Sequence, residues 1–194
     1  MRKRRNRLAV GGVALVAALS IAALQRPADA PPSSPSFRAP VITDTARLPG
    51  PRQPIFFRHD IHAGQDQIPC AYCHNTVTVS SEPGIPAVQT CLGCHSVIQG
   101  STESHRSEIQ KVLAILSDQK PPEWVRVHAL PSFVRFPHQR HVKVLGATAA
   151  GCANCHGEVA TMPQVSKVQT LRMGWCISCH QQRKVTRDCT VCHY

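Results

Sequence analysis

The chain has 194 residues, a formal charge of +11 from 22 Lys and Arg against 11 Asp and Glu, and a mean hydropathy of −0.16. Aromatics make up only 5% and prolines number 16, so large apolar side chains are too scarce for an ordinary core to offset the entropy of ordering the chain. The charge does not define a nucleic-acid binder: Arg2, Lys3, Arg4, Arg5 and Arg7 sit ahead of an apolar run as a topology signal, and no recognition motif accompanies the rest.

That run, Leu8 to Leu24, is 17 residues long without a charge. As a helix it would span roughly 26 Å, slightly short of a bilayer core and slightly long for the apolar part of a signal peptide. Ala28-Asp29-Ala30 resembles a cleavage site, but Pro31 directly after it opposes cleavage, and an uncleaved anchor over 1–26 is the preferred expectation. Both readings place the remainder on the extracytoplasmic side, because the positive end stays inside. From Pro27 to Pro54 there are eight prolines in 28 residues with no periodic pattern. This segment is expected to be a linker, either a loose tether or a strap laid over a partner.

At Phe57 to His74 the sequence reads FRHDIHAGQDQIPCAYCH, and Phe136 to His156 repeats it as FPHQRHVKVLGATAAGCANCH with the same spacing of aromatic, first His and second His. Each copy ends in CxxCH. Two thiols one helical turn apart add to the two vinyl groups of a haem, and the adjacent His is delivered to the iron. Five such seats occur: Cys70/Cys73/His74, Cys91/Cys94/His95, Cys152/Cys155/His156, Cys176/Cys179/His180 and Cys189/Cys192/His193. They use all ten cysteines. A zinc ribbon or a disulfide framework leaves unexplained why a His follows the second Cys every time, and zinc would pair the motifs in even number. Five covalent haems c would also supply the apolar core that the side chains lack. The expected fold is mainly α and irregular: short helices and loops wrapped around five haems, with little sheet, preceded by an N-terminal transmembrane helix.

The first haem unit is expected over 55–100, with two seats, and a connecting helix over 101–123. Ile109, Val112, Leu113 and Leu116 in SEIQKVLAILS have helical spacing, Ser107 and Gln110 form a candidate capping box, and Pro121-Pro122 end the element. The second unit, 124–194, carries three seats. Only eight residues separate His180 from Cys189, which makes the fourth and fifth haems neighbours. Distal ligands must come from His59, His62, His105, His128, His138, His141, Met162 and Met173. His128 and Met173 compete for one position, with His105 and Met162 expected to be surface and packing residues. A Met on iron would raise that haem's potential relative to a second His.

The FxHxxH pattern resembles that of small c3- and c7-type multihaem cytochromes. By position, the resemblance implies that His59 serves the haem at Cys70 and His138 that at Cys152, while His62 and His141 each reach another haem. More broadly, FRHDIHAGQDQIPCAYCH, GIPAVQTCLGCH, WVRVHALPSFVRFPHQRHV, CANCHGEVATM and LRMGWCISCH resemble the pentahaem cytochrome c subunit of alternative complex III over about residues 54 to 182. That resemblance implies an electron-transfer role in a quinol-oxidising respiratory or photosynthetic membrane complex. The expected partners are an iron–sulfur subunit, membrane subunits with quinone sites and a monohaem cytochrome c or other acceptor, and no nucleic acid. The alternatives are a stand-alone membrane-anchored quinol dehydrogenase cytochrome and a multihaem reductase with an open haem.

Overall fold

The computed structural model describes residues 37–194, and the expected anchor over 1–26 lies outside them. The described residues pack as one compact unit. Among the described residues the architecture is helical and irregular, with no strand beyond a single bridge between Val134 and His193. None of the described helices is long and apolar enough to cross a membrane.

The helices are α1 (Cys70–Cys73), α2 (Val88–His95), α3 (Glu103–Asp118), α4 (His138–Leu145), α5 (Ala149–His156), α6 (Met173–Gln182) and α7 (Cys189–Cys192). All but α3 and α4 carry a CxxC pair, which explains their brevity: each needs little more than one turn to bring two thiols to the same side. A wide π-turn, Asp60–Gln65, precedes α1.

The long helix α3 starts a turn earlier than the 107–110 capping box suggests. Thr102 is its N-cap, with its hydroxyl accepting from the His105 amide at 3.1 Å. It ends at Asp118, where Gln119 turns left-handed with φ 53°, just ahead of the two prolines. Ile109 and Val112 of the expected apolar stripe are buried.

Burial is otherwise thin. Among the described residues, Ile55, Ile109 and Val112 are the buried hydrophobic ones, and many large apolar side chains are exposed. Polar locks compensate. The described part of the proline-rich stretch, residues 37–54, lies against the body as a strap: the Gln65 side chain accepts from the Ala39 amide at 3.2 Å, Arg58 donates to the Pro40 carbonyl at 2.8 Å, and Gln164 donates to the Gly50 carbonyl at 2.9 Å. Gln53 exchanges two hydrogen bonds of 2.9 Å with the backbone of Val125. Gly64 is needed where this strap crosses, since a Cβ there would run into the Ala160 carbonyl and the Phe37 ring.

Candidate haem sites

The two FxHxxH copies fold differently, one as a π-turn and the other as the regular helix α4, yet they deliver the same side-chain geometry. Phe57 meets His59 edge-on, with ring centroids 4.8 Å apart, and stacks on His62 at 4.4 Å. Phe136 meets His138 edge-on at 4.8 Å and stacks on His141 at 4.2 Å. One aromatic thus sets two imidazoles roughly at right angles, aimed at different neighbours.

Those neighbours are the histidines of the CxxCH motifs. The centroids of His62 and His95 are 5.9 Å apart, those of His138 and His156 6.4 Å, and those of His141 and His180 6.1 Å. A metal–imidazole bond of about 2 Å on each side puts two ring centroids roughly 6 Å apart, so each pair leaves the space one iron would take. His59 lies close enough to His74 for the charge of that ring to act on it.

The ring tautomers fit the same chemistry. Nδ1 of His74, His95 and His180 hydrogen-bonds the carbonyls of Gly84, Ile98 and Thr186 at 2.9, 2.8 and 2.7 Å. Nδ1 of His62, His138 and His141 does so with Arg58, Ser81 and Pro137 at 2.8, 2.7 and 3.1 Å. A donor at Nδ1 leaves the lone pair on Nε2, the atom a metal takes. Burial, then the charges of His74 and His62, brings His59 down to about 4; burial, then His128 and His138, does the same for His156. Burial also lowers His62, His141 and His128, which favours the neutral form that ligation requires.

The first copy carries a feature that the second lacks. Asp60 is fully buried and clamped in bidentate fashion by Arg58, at 2.6 Å from Nε and 2.5 Å from Nη2. The pair brackets His59 and holds the Arg58 carbonyl that orients His62. The second copy has Pro137 and Gln139 at the corresponding positions, and the amides of His138 and Gln139 are instead met by the carbonyls of Ser81 and Ser80.

All ten thiols are free, and among the described residues no group of three metal-binding side chains converges as a zinc ribbon would need. The thiols form a spatial sequence. Burial raises the Cys73 thiol, with Cys70 and Cys94 adding to it, and Cys91 feels Cys73 in the same way. Cys152 is raised to about 11, first by burial and then by Cys70 beside it. Cys155 responds to Cys179 and Cys176 after burial, and Cys176 to Cys192. These neighbouring thiols link the second seat to the first, the first to the third, the third to the fourth and the fourth to the fifth. Beside the second seat, an apolar groove of about 580 Å³ runs between Ile85, Val88, Leu116 and Trp124.

The two contested residues do not meet the fifth seat in the expected way. His128 lies 4.4 Å from the ring of His156, at 81°, with its buried Nε2 unpartnered. Met173 opens α6 and is 60% exposed. The ring packed on His193 is Phe133, at 5.8 Å. His105 bonds the Ser101 hydroxyl at 3.2 Å, and Met162 packs against Gly157. Sequence reading missed the backbone carbonyls that fix the tautomers, because no side-chain pattern encodes them.

The CxxCH seats and their paired imidazoles are the equipment of a multihaem c-type cytochrome, an electron-transfer protein. Residues 134–194 match the family described as cytochrome c7 and related cytochrome c. The chain is also 27% identical over 169 residues, 73% of its length and 76% of the relative's, to the multiheme cytochrome c subunit of menaquinone reductase from Nitratidesulfovibrio vulgaris strain Hildenborough.

Proposed function

We propose that the chain carries five covalent haems c and works as an electron relay within a membrane quinol- or quinone-linked oxidoreductase, handing electrons to or from a cytochrome c or another extracytoplasmic carrier. The observation that carries this reading is the pairing of imidazoles roughly 6 Å apart across the second, third and fourth seats, joined to seats that follow one another without a gap. His74, His95, His156, His180 and His193 are the proximal ligands in this assignment, with His59, His62, His138 and His141 distal to the first, second, third and fourth haems. When bound, the haems supply one-electron redox chemistry, and the chain's residues hold them and exclude water.

An iron closed on both faces by imidazole has no free position for a substrate, so a relay is favoured over a reductase with an open haem. Only the fifth seat has no assigned distal ligand: of the two contested residues, His128 lies against His156 and Met173 is exposed at the start of α6. The similarity to a menaquinone reductase subunit supports a quinone-linked complex, and the resemblance to alternative complex III names the specific form, with iron–sulfur, quinone-site and monohaem partners. The segments 55–100 and 124–194 would then be the dihaem and trihaem parts, held extracytoplasmically by the anchor over 1–26.

A pyridine haemochrome assay with intact mass is expected to return five covalent haems per chain, and four or fewer would remove a seat from the relay. Isolated chain is expected to show no sustained quinol oxidation. Robust turnover without other subunits would favour the stand-alone dehydrogenase instead.

A further inference from the structure

Charge is divided unequally along the row of seats. Residues 55–123, which hold the first and second seats, carry seven acidic and four basic side chains, a net of −3; residues 124–194, which hold the other three, carry two acidic and nine basic, a net of +7. The pairing differs as well. In the first part Arg58, Arg106 and Lys111 each have a carboxylate partner, on Asp60, Glu103 and Glu108. Among the described residues, none of the nine cations of 124–194 forms an ion pair.

Four of these cations frame the fifth seat, the end of the row. Arg183, Lys184 and Arg187 lie in the loop between α6 and α7, and residues 181–190 are exposed throughout. Arg135 is brought to the same seat by its amide bonding the Cys192 carbonyl at 2.8 Å, with its guanidinium 4.5 Å over the Tyr194 ring. Each haem brings roughly two propionate charges, about −4 on the first part and −6 on the second, so the nets become about −7 and +1 and the exposed cations of the second part stand out locally against a strongly acidic first part. A field of this shape accelerates encounter with an opposite charge at one end and opposes it at the other.

We propose that the face around the fifth seat, with Arg135, Arg183, Lys184 and Arg187 at its rim, is the docking surface for a redox protein with an acidic surface. This rests on the relay reading and adds the chemistry of its terminal partner. The acidic dihaem end repels the same partner, so electrons pass through the whole row before leaving or after entering. The transfer is a single electron from reduced haem iron to the oxidised partner, with no bond made or broken.

The test uses the haem-loaded full chain in mild detergent, reduced and mixed in stopped flow with one of two oxidised probes, an acidic blue-copper protein and a basic monohaem cytochrome c. The acidic probe is expected to react at least about ten-fold faster at low salt than at high salt. The variant Arg183→Glu/Lys184→Glu/Arg187→Glu is expected to lose that advantage while keeping haem content and midpoint potentials. Equal salt response to both probes would overturn the inference, as would a charge-reversed chain that still reacts at the original rate. So would a variant that loses haem or shifts its potentials, because the cations would then serve the propionates. Haem count and electron equilibration within the unmixed chain are read on the same sample. If those fail, the relay reading falls; if they hold and the probes are indifferent, only the docking surface does.

Discussion

The side chains that matter most here are oriented by groups the side-chain pattern does not contain. His62 illustrates this: its Nδ1 is held by the Arg58 carbonyl at 2.8 Å, Phe57 stacks on its ring, and its ring pairs with His95 at 5.9 Å rather than with the histidine of the seat that follows it in sequence. Replacing His62 with Met is therefore expected to alter the haem at Cys91 and Cys94 and leave its own neighbour unchanged. The ring planes of His62 and His95 cross at 66°, whereas those of His138 and His156 are within 16° of parallel. Crossed axial imidazoles give a highly anisotropic low-spin iron signal and parallel ones a rhombic signal. Low-temperature EPR of His62→Met is thus expected to lose an anisotropic component with the rhombic one retained, and redox titration to move one haem upward in potential. A change in the haem at Cys70 instead would reverse the assignment.

At the scale of elements, the strap formed by residues 37–54 is held by polar locks rather than by apolar burial. Gln164, 5% exposed, places its amide nitrogen on the carbonyls of Leu48, Pro49 and Gly50 at 3.5, 3.1 and 2.9 Å. Truncation to Ala removes these part-buried hydrogen bonds, and a loss of about 0.5–1.5 kcal/mol is expected. Because the loss falls on one segment, it should appear as faster tryptic cleavage after Arg47 and Arg52, before any change in haem absorbance. Wild-type cleavage kinetics in Gln164→Ala would show that the strap is held elsewhere. The seats, the FxHxxH repeat and the helical stripe of α3 were legible in the sequence because covalent haem attachment and helical spacing are local rules. The strap's path was left open between tether and cover, since it depends on Gln65, Arg58 and Gln164, far away in sequence. The helix expected within 101–123 is there, but its cap is Thr102 rather than Ser107: Thr102 has no acidic partner three residues on, and the sequence offers a second capping pattern at Ser107. The fifth distal ligand stayed open for a related reason: neither His128 nor Met173 belongs to a repeat, and the structure sets one against His156 and leaves the other exposed.

At the scale of the whole molecule, sequence order and spatial order diverge. The second seat is next to the first through Cys73 and Cys94, and the first is next to the third through Cys70 and Cys152, so the row begins at the second seat and turns back through the first. Electron tunnelling falls steeply with separation, which makes the first seat a bridge and the fifth a terminus. Two variants that each remove one haem should then behave differently. Without Cys189 and Cys192, both replaced by Ala, four haems remain contiguous and electrons injected by a pulse of reductant should equilibrate among them as fast as in the intact chain. Replacing Cys70 and Cys73 with Ala also leaves four haems, but it strands the second seat, and equilibration is expected to split into a fast phase among the third to fifth haems and a slow one, many-fold delayed, for the haem at Cys91 and Cys94. Haem counts of four in both variants make the comparison fair. If the two equilibrate alike, the first seat is not the bridge, and the path from the dihaem segment must cross to the third seat by the second haem itself.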